Sequence, residues 1–117
     1  MTILYKFLNR EEDIDLTMKA AKIFDHYGES HQLAKLVEES GEFAAALMRW
    51  SNCKGEEGRE KLRGAAMEEL ADMTLVLQQL VDSMPADVGR AFAAIVHAKA
   101  DRQLRRISQE TDHAKRS

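Results

Sequence analysis

The sequence predicts an all-α protein, an antiparallel bundle of about four helices. Three observations carry this. Apolar residues recur at helical spacing through most of the chain. Glycine and the single proline are sparse and fall between the periodic runs. No stretch alternates polar and apolar residues as a half-buried strand does.

The elements follow in order. Residues 1–12 are ambiguous and allow a short extra turn. From Asp13 to Tyr27, Ile14, Met18, Ala21 and Phe24 keep a helical period, and Gly28 is a stop. Ser30 is placed to cap a second helix from about His31 to Trp50, with Leu33, Leu36, Phe43, Ala44 and Leu47 as its apolar stripe. The polar run Ser51–Arg59 contains two glycines and reads as a loop. A third helix spans roughly Glu60 to Ser83. Its stretch from Leu70 to Val81 is apolar on more than one side, which predicts the most buried element. Pro85 suits the first turn of a fourth helix running to about Ser108. The charged tail, residues 109–117, is expected to fray.

Composition sets bounds on function. The chain has 117 residues, enough for one domain with a modest core, here expected to occupy about residues 13–108. Its 44% hydrophobic and 32% charged residues are those of an ordinary helix-rich soluble protein. A formal net charge of -3 argues against non-specific nucleic-acid binding. Cys53 is the one cysteine and has no internal disulfide partner. No signal peptide and no membrane-length apolar run is read, so the expected location is cytoplasmic. The six methionines read as gap-filling core.

The chemistry lies in two acidic clusters, Glu38-Glu39-Ser40-Gly41-Glu42 and Glu68-Glu69-Leu70-Ala71-Asp72. At about 100° per residue, each places three carboxylates on one helix face. Like charges at i, i+4 weaken a helix. The residues that follow each cluster are apolar, and no Lys or Arg occurs from Gly64 to Gly89. Carboxylates without counter-ions call for an external cation, and Mg²⁺ takes oxygen ligands. A short loop makes helices two and three antiparallel, so their carboxylates can meet. The closest four-ligand set is Glu39 and Glu42 with Glu69 and Asp72. Glu38 and Glu68 are left to hold a second metal, to bind through water, or to act as a base; Glu38 is the first choice for activating water. A di-iron bundle is set aside, because the one Glu-x-x-His, Glu110 to His113, stands alone in the tail.

A basic stripe complements these acids. Lys99, Arg102 and Arg106 fall within about 60° on a helical wheel, and Lys99 continues the apolar stripe of Phe92, Ile95 and Val96. Such cations suit either a salt bridge to a core carboxylate or the phosphates of a metal-bound polyphosphate. No Walker-type loop and no Ser/His/Asp or Cys/His set is present. Trp50 is placed either to stack on a base or to pack in an interface. Tyr27 and His26 precede a glycine turn, at a pocket mouth or in a packing role. His31 and His97 have no assigned part.

These motifs resemble the MazG-like, all-α nucleoside triphosphate pyrophosphohydrolases, specifically the small stand-alone type of bacteria and phages. The resemblance rests on Glu38-Glu39-x-x-Glu42, the gap to Glu68, and Glu69-x-x-Asp72. Flanking residues His26-Tyr27-Gly28, Gln32 and Lys35, the run from Glu68 to Leu80, and Lys99-Ala-Asp-Arg102 extend it over about residues 20–107. It implies Glu39, Glu42, Glu69 and Asp72 as Mg²⁺ ligands, with Mn²⁺ as a substitute, and Glu38 assisting. It implies Lys99 and Arg102 on the phosphates; Lys35 and Trp50 are candidate substrate contacts beside them. The implied reaction gives a nucleoside monophosphate and pyrophosphate, and the implied assembly is a homodimer or homotetramer. Where some relatives carry an Asn near the closing Lys, this chain has Asp101-Arg102, so base recognition does not carry over. The competing readings are a non-catalytic nucleotide-binding regulator, a plain helical oligomerisation domain that hides no charge, and a phosphoribosyl-ATP-type pyrophosphohydrolase.

Overall fold

The first helix begins earlier than the apolar period suggests, because its start is set by a cap. In the computed structural model, which describes residues 1–116, α1 spans Arg10–Tyr27. The Asn9 side chain accepts from the Glu12 amide at 2.8 Å, and the Glu12 carboxylate accepts from the Asn9 amide at 2.9 Å. This reciprocal box satisfies two amides that a helix start leaves unpaired. Glu11, Glu12 and Asp13 add negative charge where the helix dipole favours it.

Gly28 ends α1 and begins α2, Glu29–Ser51, with no linker between them. Its amide donates to the Phe24 carbonyl at 2.7 Å, and its carbonyl accepts from the Gln32 amide at 3.1 Å. The backbone there has φ 83° and ψ 164°, a region open in practice only to glycine. Ser30, expected as the cap of α2, lies inside the helix, and no side chain caps that end. The N-cap position is held by Gly28, which has no side chain to offer the first amides.

After residues 52–58, α3 runs Arg59–Asp82. It packs along α2 and against α1. Gln32 meets Gln79 and Ser40 meets Met73, so numbers rise along one helix as they fall along the other. That is the register of an antiparallel pair. The buried apolar residues are Ala20, Ala46, Ala66 and Val76. Small side chains at these positions let the helix backbones approach closely. α3 contributes Ala66, Val76, Gln78 and Gln79 to the interior, yet its Met67, Leu70 and Leu77 stay exposed. The interior expected of α3 is therefore partly polar.

A short 3-10 turn at Tyr5–Phe7 precedes α1, and the segment before it is fastened. The buried Thr2 donates its amide and hydroxyl to Asp13, and the Ile3 amide donates to Gln78 at 2.7 Å. The two Thr2 bonds hold the Asp13 carboxyl below its usual range, with the Thr2 hydroxyl as the largest cause.

The chain divides into two compact units, Met1–Ser83 and a second from Met84 onward, each described by itself. The second is α4, Ala86–Arg116, which follows Pro85 directly; the Pro85 carbonyl accepts from the Gly89 amide at 2.8 Å. The part read as a fraying tail is helical through Arg116, and Ser117 lies outside the described residues. His113, Lys115 and Arg116 put positive charge in the last turn, where the dipole favours it. Among the described residues there is no strand, and no helix is long and apolar enough to cross a membrane.

Two predictions follow from these joints. Gly28→Ala should lower unfolding free energy by about 1–3 kcal/mol in denaturant titration, the cost of a side chain in a glycine-only conformation. For Asp13 the folded pKa is lowered, so its contribution is present above the unfolded value near 3.8 and is lost as pH falls through the folded one. Corrected for the intrinsic exchange rate, which itself falls with pH, the amide protection factors of Thr2 and Ile3 should drop on acidification, and Asp13→Asn should show that loss already at neutral pH.

Candidate functional site

Two of the carboxylates sit on α3, one turn apart, and face a third on α2. One oxygen each from Glu39, Glu69 and Asp72 lie within 4.8 Å of one another. Glu39 is only 5% exposed, Glu69 is half-buried and Asp72 is exposed. The antiparallel register brings them together, since Glu39 sits one residue before Ser40 and Asp72 one before Met73.

The second oxygens of Glu39 and Glu69 decide the character of this site. Both Oε2 atoms are buried and have no hydrogen-bond partner. A buried carboxylate oxygen without a partner is costly, because it has given up water for nothing. An all-oxygen donor set with unmatched negative charge fits a hard divalent cation such as Mg²⁺ or Mn²⁺. The residues present therefore fit a metal.

One cation does lie beside them. Lys35 Nζ is 3.1 Å from Glu39 Oε1 and 3.5 Å from Glu38 Oε1. Bonding to Glu39 above all, then the charge of Glu38, raises the Lys35 pKa. The expectation that the first acidic cluster lacks a counter-ion is thus corrected: Lys35 supplies one from one turn earlier on α2. It occupies Oε1 and leaves Oε2 unmatched.

Glu42 falls outside the three-oxygen group and is exposed. It still feels the site. The Glu39 charge, then partial loss of water, then the Glu69 charge hold its carboxyl above the ordinary value of 4.5. Glu38 and Glu68 are exposed, and Glu38 is held at the rim by Lys35. Lys99 and Arg102 lie on α4, exposed and one turn apart, and belong to the second unit.

Trp50 lines a different cleft, of about 370 Å³, with Glu56, Arg59, Glu60 and Arg63. Its indole N–H is buried without an acceptor. Eleven positions along α2 from Glu39 correspond to about 16 Å. The cavity that reaches the carboxylates is lined instead by Tyr27, His31, Gln32, Lys35 and Gln79, together with Glu39 and Asp72. Of these, Gln79 drew no attention as a site residue in the sequence, since only the helix register reveals its partner Gln32.

Comparison with known proteins returned no match: no family model, no curated protein and no solved structure matches the chain.

The charge arrangement makes stability depend on pH, and the fit to a metal can be tested by the stability a metal adds. For Glu42 the folded pKa is raised, so its contribution is fully present below the unfolded value and is lost as pH rises through the folded one. In metal-free buffer, stability should therefore drop over the pH range just above 4.5, and Glu42→Gln should flatten that drop. Mg²⁺ or Mn²⁺ at about a hundred times its dissociation constant should add about 2.7 kcal/mol. That is a rise of about 10 °C in the thermal midpoint, and Glu39→Gln should abolish it.

Proposed function

We propose that the protein is a divalent-metal-dependent nucleoside triphosphate pyrophosphohydrolase, cleaving the α–β phosphate bridge to a nucleoside monophosphate and pyrophosphate. The observation that carries this reading is the buried Glu39, which has one oxygen without a partner and lies grouped with Glu69 and Asp72 of the neighbouring helix. The spacing of both acidic motifs, and their likeness to the MazG-like pattern, supply the reaction class.

In this reading Glu39, Glu69 and Asp72 hold Mg²⁺, with Glu42 as the fourth carboxylate. When bound, the ion supplies Lewis-acid stabilisation of phosphate charge and lowers the pKa of coordinated water. The chain's own groups do the rest. Glu38 is exposed beside the cluster and is the base that orients a water and accepts its proton. The water oxygen bonds to phosphorus as the bridging P–O bond breaks, and pyrophosphate leaves. Lys35 holds Glu39 in place through the 3.1 Å contact. Lys99 and Arg102 are assigned to the phosphates, whose charge they would offset. The many exposed apolar side chains, Val37, Met48, Phe92, Ile95 and Leu104 among them, support a homodimer or homotetramer as the working form.

Burial of Glu39 also bears on the alternatives. A plain oligomerisation domain has no use for a buried carboxylate with an unmatched oxygen.

The test is pyrophosphate release from a panel of standard and modified nucleoside triphosphates, with Mg²⁺ and with EDTA. Release should need the metal, and Glu39→Gln should reduce it on the order of a hundredfold or more. Full turnover in EDTA, or in Glu39→Gln with metal, would remove the reading.

A further inference from the structure

The cavity beside Glu39 and Asp72 has a volume of about 380 Å³, and part of its wall is a chain of hydrogen bonds that ends on His31. Two links in that chain are glutamines with only 2% of their surface exposed, Gln32 and Gln79. Gln79 Nε2 donates to the Leu75 carbonyl at 3.2 Å. Gln32 Nε2 donates to Gln79 Oε1 at 2.7 Å. Gln32 Oε1 then lies 2.7 Å from His31 Nδ1.

The Leu75 carbonyl gives this chain one direction. A main-chain carbonyl has no hydrogen, so the Gln79 amide must turn its NH₂ toward it. Turned the other way, Gln79 would set oxygen against oxygen in a buried place, at the cost of an unmade hydrogen bond. With its NH₂ committed, Gln79 offers an oxygen to Gln32. Gln32 must then present NH₂ to Gln79 and oxygen to His31. A hydrogen bond at that last link requires the proton on Nδ1. In the uncharged ring, Nε2 is left with a lone pair and no hydrogen. The ring also stacks on Tyr27, with centroids 4.5 Å apart and planes 15° from parallel.

We propose that His31 is a specificity-determining residue, whose Nε2 accepts a hydrogen bond from an N–H or O–H of the nucleoside part of the substrate, and that Gln32 and Gln79 are positioning residues that set its tautomer. This rests on the pyrophosphohydrolase reading. Within the cavity the division of labour follows from charge. Phosphate oxygens are acceptors, so a lone pair on Nε2 repels them, while Lys35 and a cation held by Glu39 and Asp72 attract them. The base and sugar carry the donors that Nε2 can use. A site built to pair with a ligand donor rejects ligands without it more strongly than an apolar pocket does.

The test pairs a spectrum with a binding comparison, using the full chain with Mg²⁺. Two-bond ¹H–¹⁵N correlation of the histidine rings, at a pH where they are uncharged, should give His31 as the Nδ1–H tautomer. Gln32→Leu should release it toward a mixture. Calorimetry would follow the α,β-methylene analogues of the four ribonucleoside triphosphates and, separately, inorganic tripolyphosphate. His31→Phe keeps an aromatic ring beside Tyr27 and removes the acceptor. It should weaken the preferred nucleotide analogue about three- to tenfold, the range of one hydrogen bond, and leave tripolyphosphate unchanged. Gln79→Leu should weaken the same analogue in the same sense; if it fails to fold, His31→Phe and the wild-type spectrum still decide. An Nε2–H tautomer in the wild type would overturn the proposal. So would equal affinity of wild type and His31→Phe for every analogue, which leaves the pyrophosphohydrolase reading standing if tripolyphosphate binds. A wild type that binds neither the analogues nor tripolyphosphate would take down both.

Discussion

The contact of α2 with α3 has to accommodate one awkward fact, the burial of the Glu39 carboxylate. A charge withdrawn from water needs compensation, and Lys35 provides it at one oxygen only. The other oxygen, with its counterpart on Glu69, is the unmatched charge that makes this contact more than packing. An apolar residue at position 39 would suit a simple helix pair better. The site thus costs the fold stability, and an external cation would return it.

The rest of the interior is organised in keeping with that cost. Among the described residues the apolar core is small, built on alanines and Val76, and no large side chain is completely buried. Gln32, Gln78 and Gln79 take up interior places that leucine would fill in an idealised bundle. Their hydrogen bonds are directional, so they specify register where a slippery apolar seam would not. Gln78 ties the chain start to α3, and Gln79 ties α2 to it. Buried polar contacts therefore fix which residues of α2 and α3 stand opposite each other, and the same register brings Glu39 to Asp72.

Much of this was legible in the sequence. The helices and their breaks followed from apolar period and from Gly28, the glycines of residues 52–58 and Pro85. The three grouped carboxylates came from motif spacing, because i, i+3 on a helix means one face. What escaped has identifiable causes. The start of α1 is set by the Asn9–Glu12 box, a local polar signal that an apolar-period reading passes over. Ser30 has the right chemistry for a cap, but the glycine two residues earlier already closes the helix. Lys35 lies upstream of its acidic cluster, and a search for cations downstream missed the i, i+3 and i, i+4 pairs. The Gln32–Gln79 bond joins residues 47 positions apart and cannot be read before the register is known.

The single-residue joint at Gly28 has a mechanical meaning. Tyr27 and His31 stand on either side of it, one on each helix, and their rings lie face to face. A hinge with a clasp across it does not swing freely. Rotation of α1 away from α2 would part the two rings, both of which line the cavity. Conversely, a molecule that seats there bears on the clasp, so occupancy of the cavity and the angle between the two helices become a single variable.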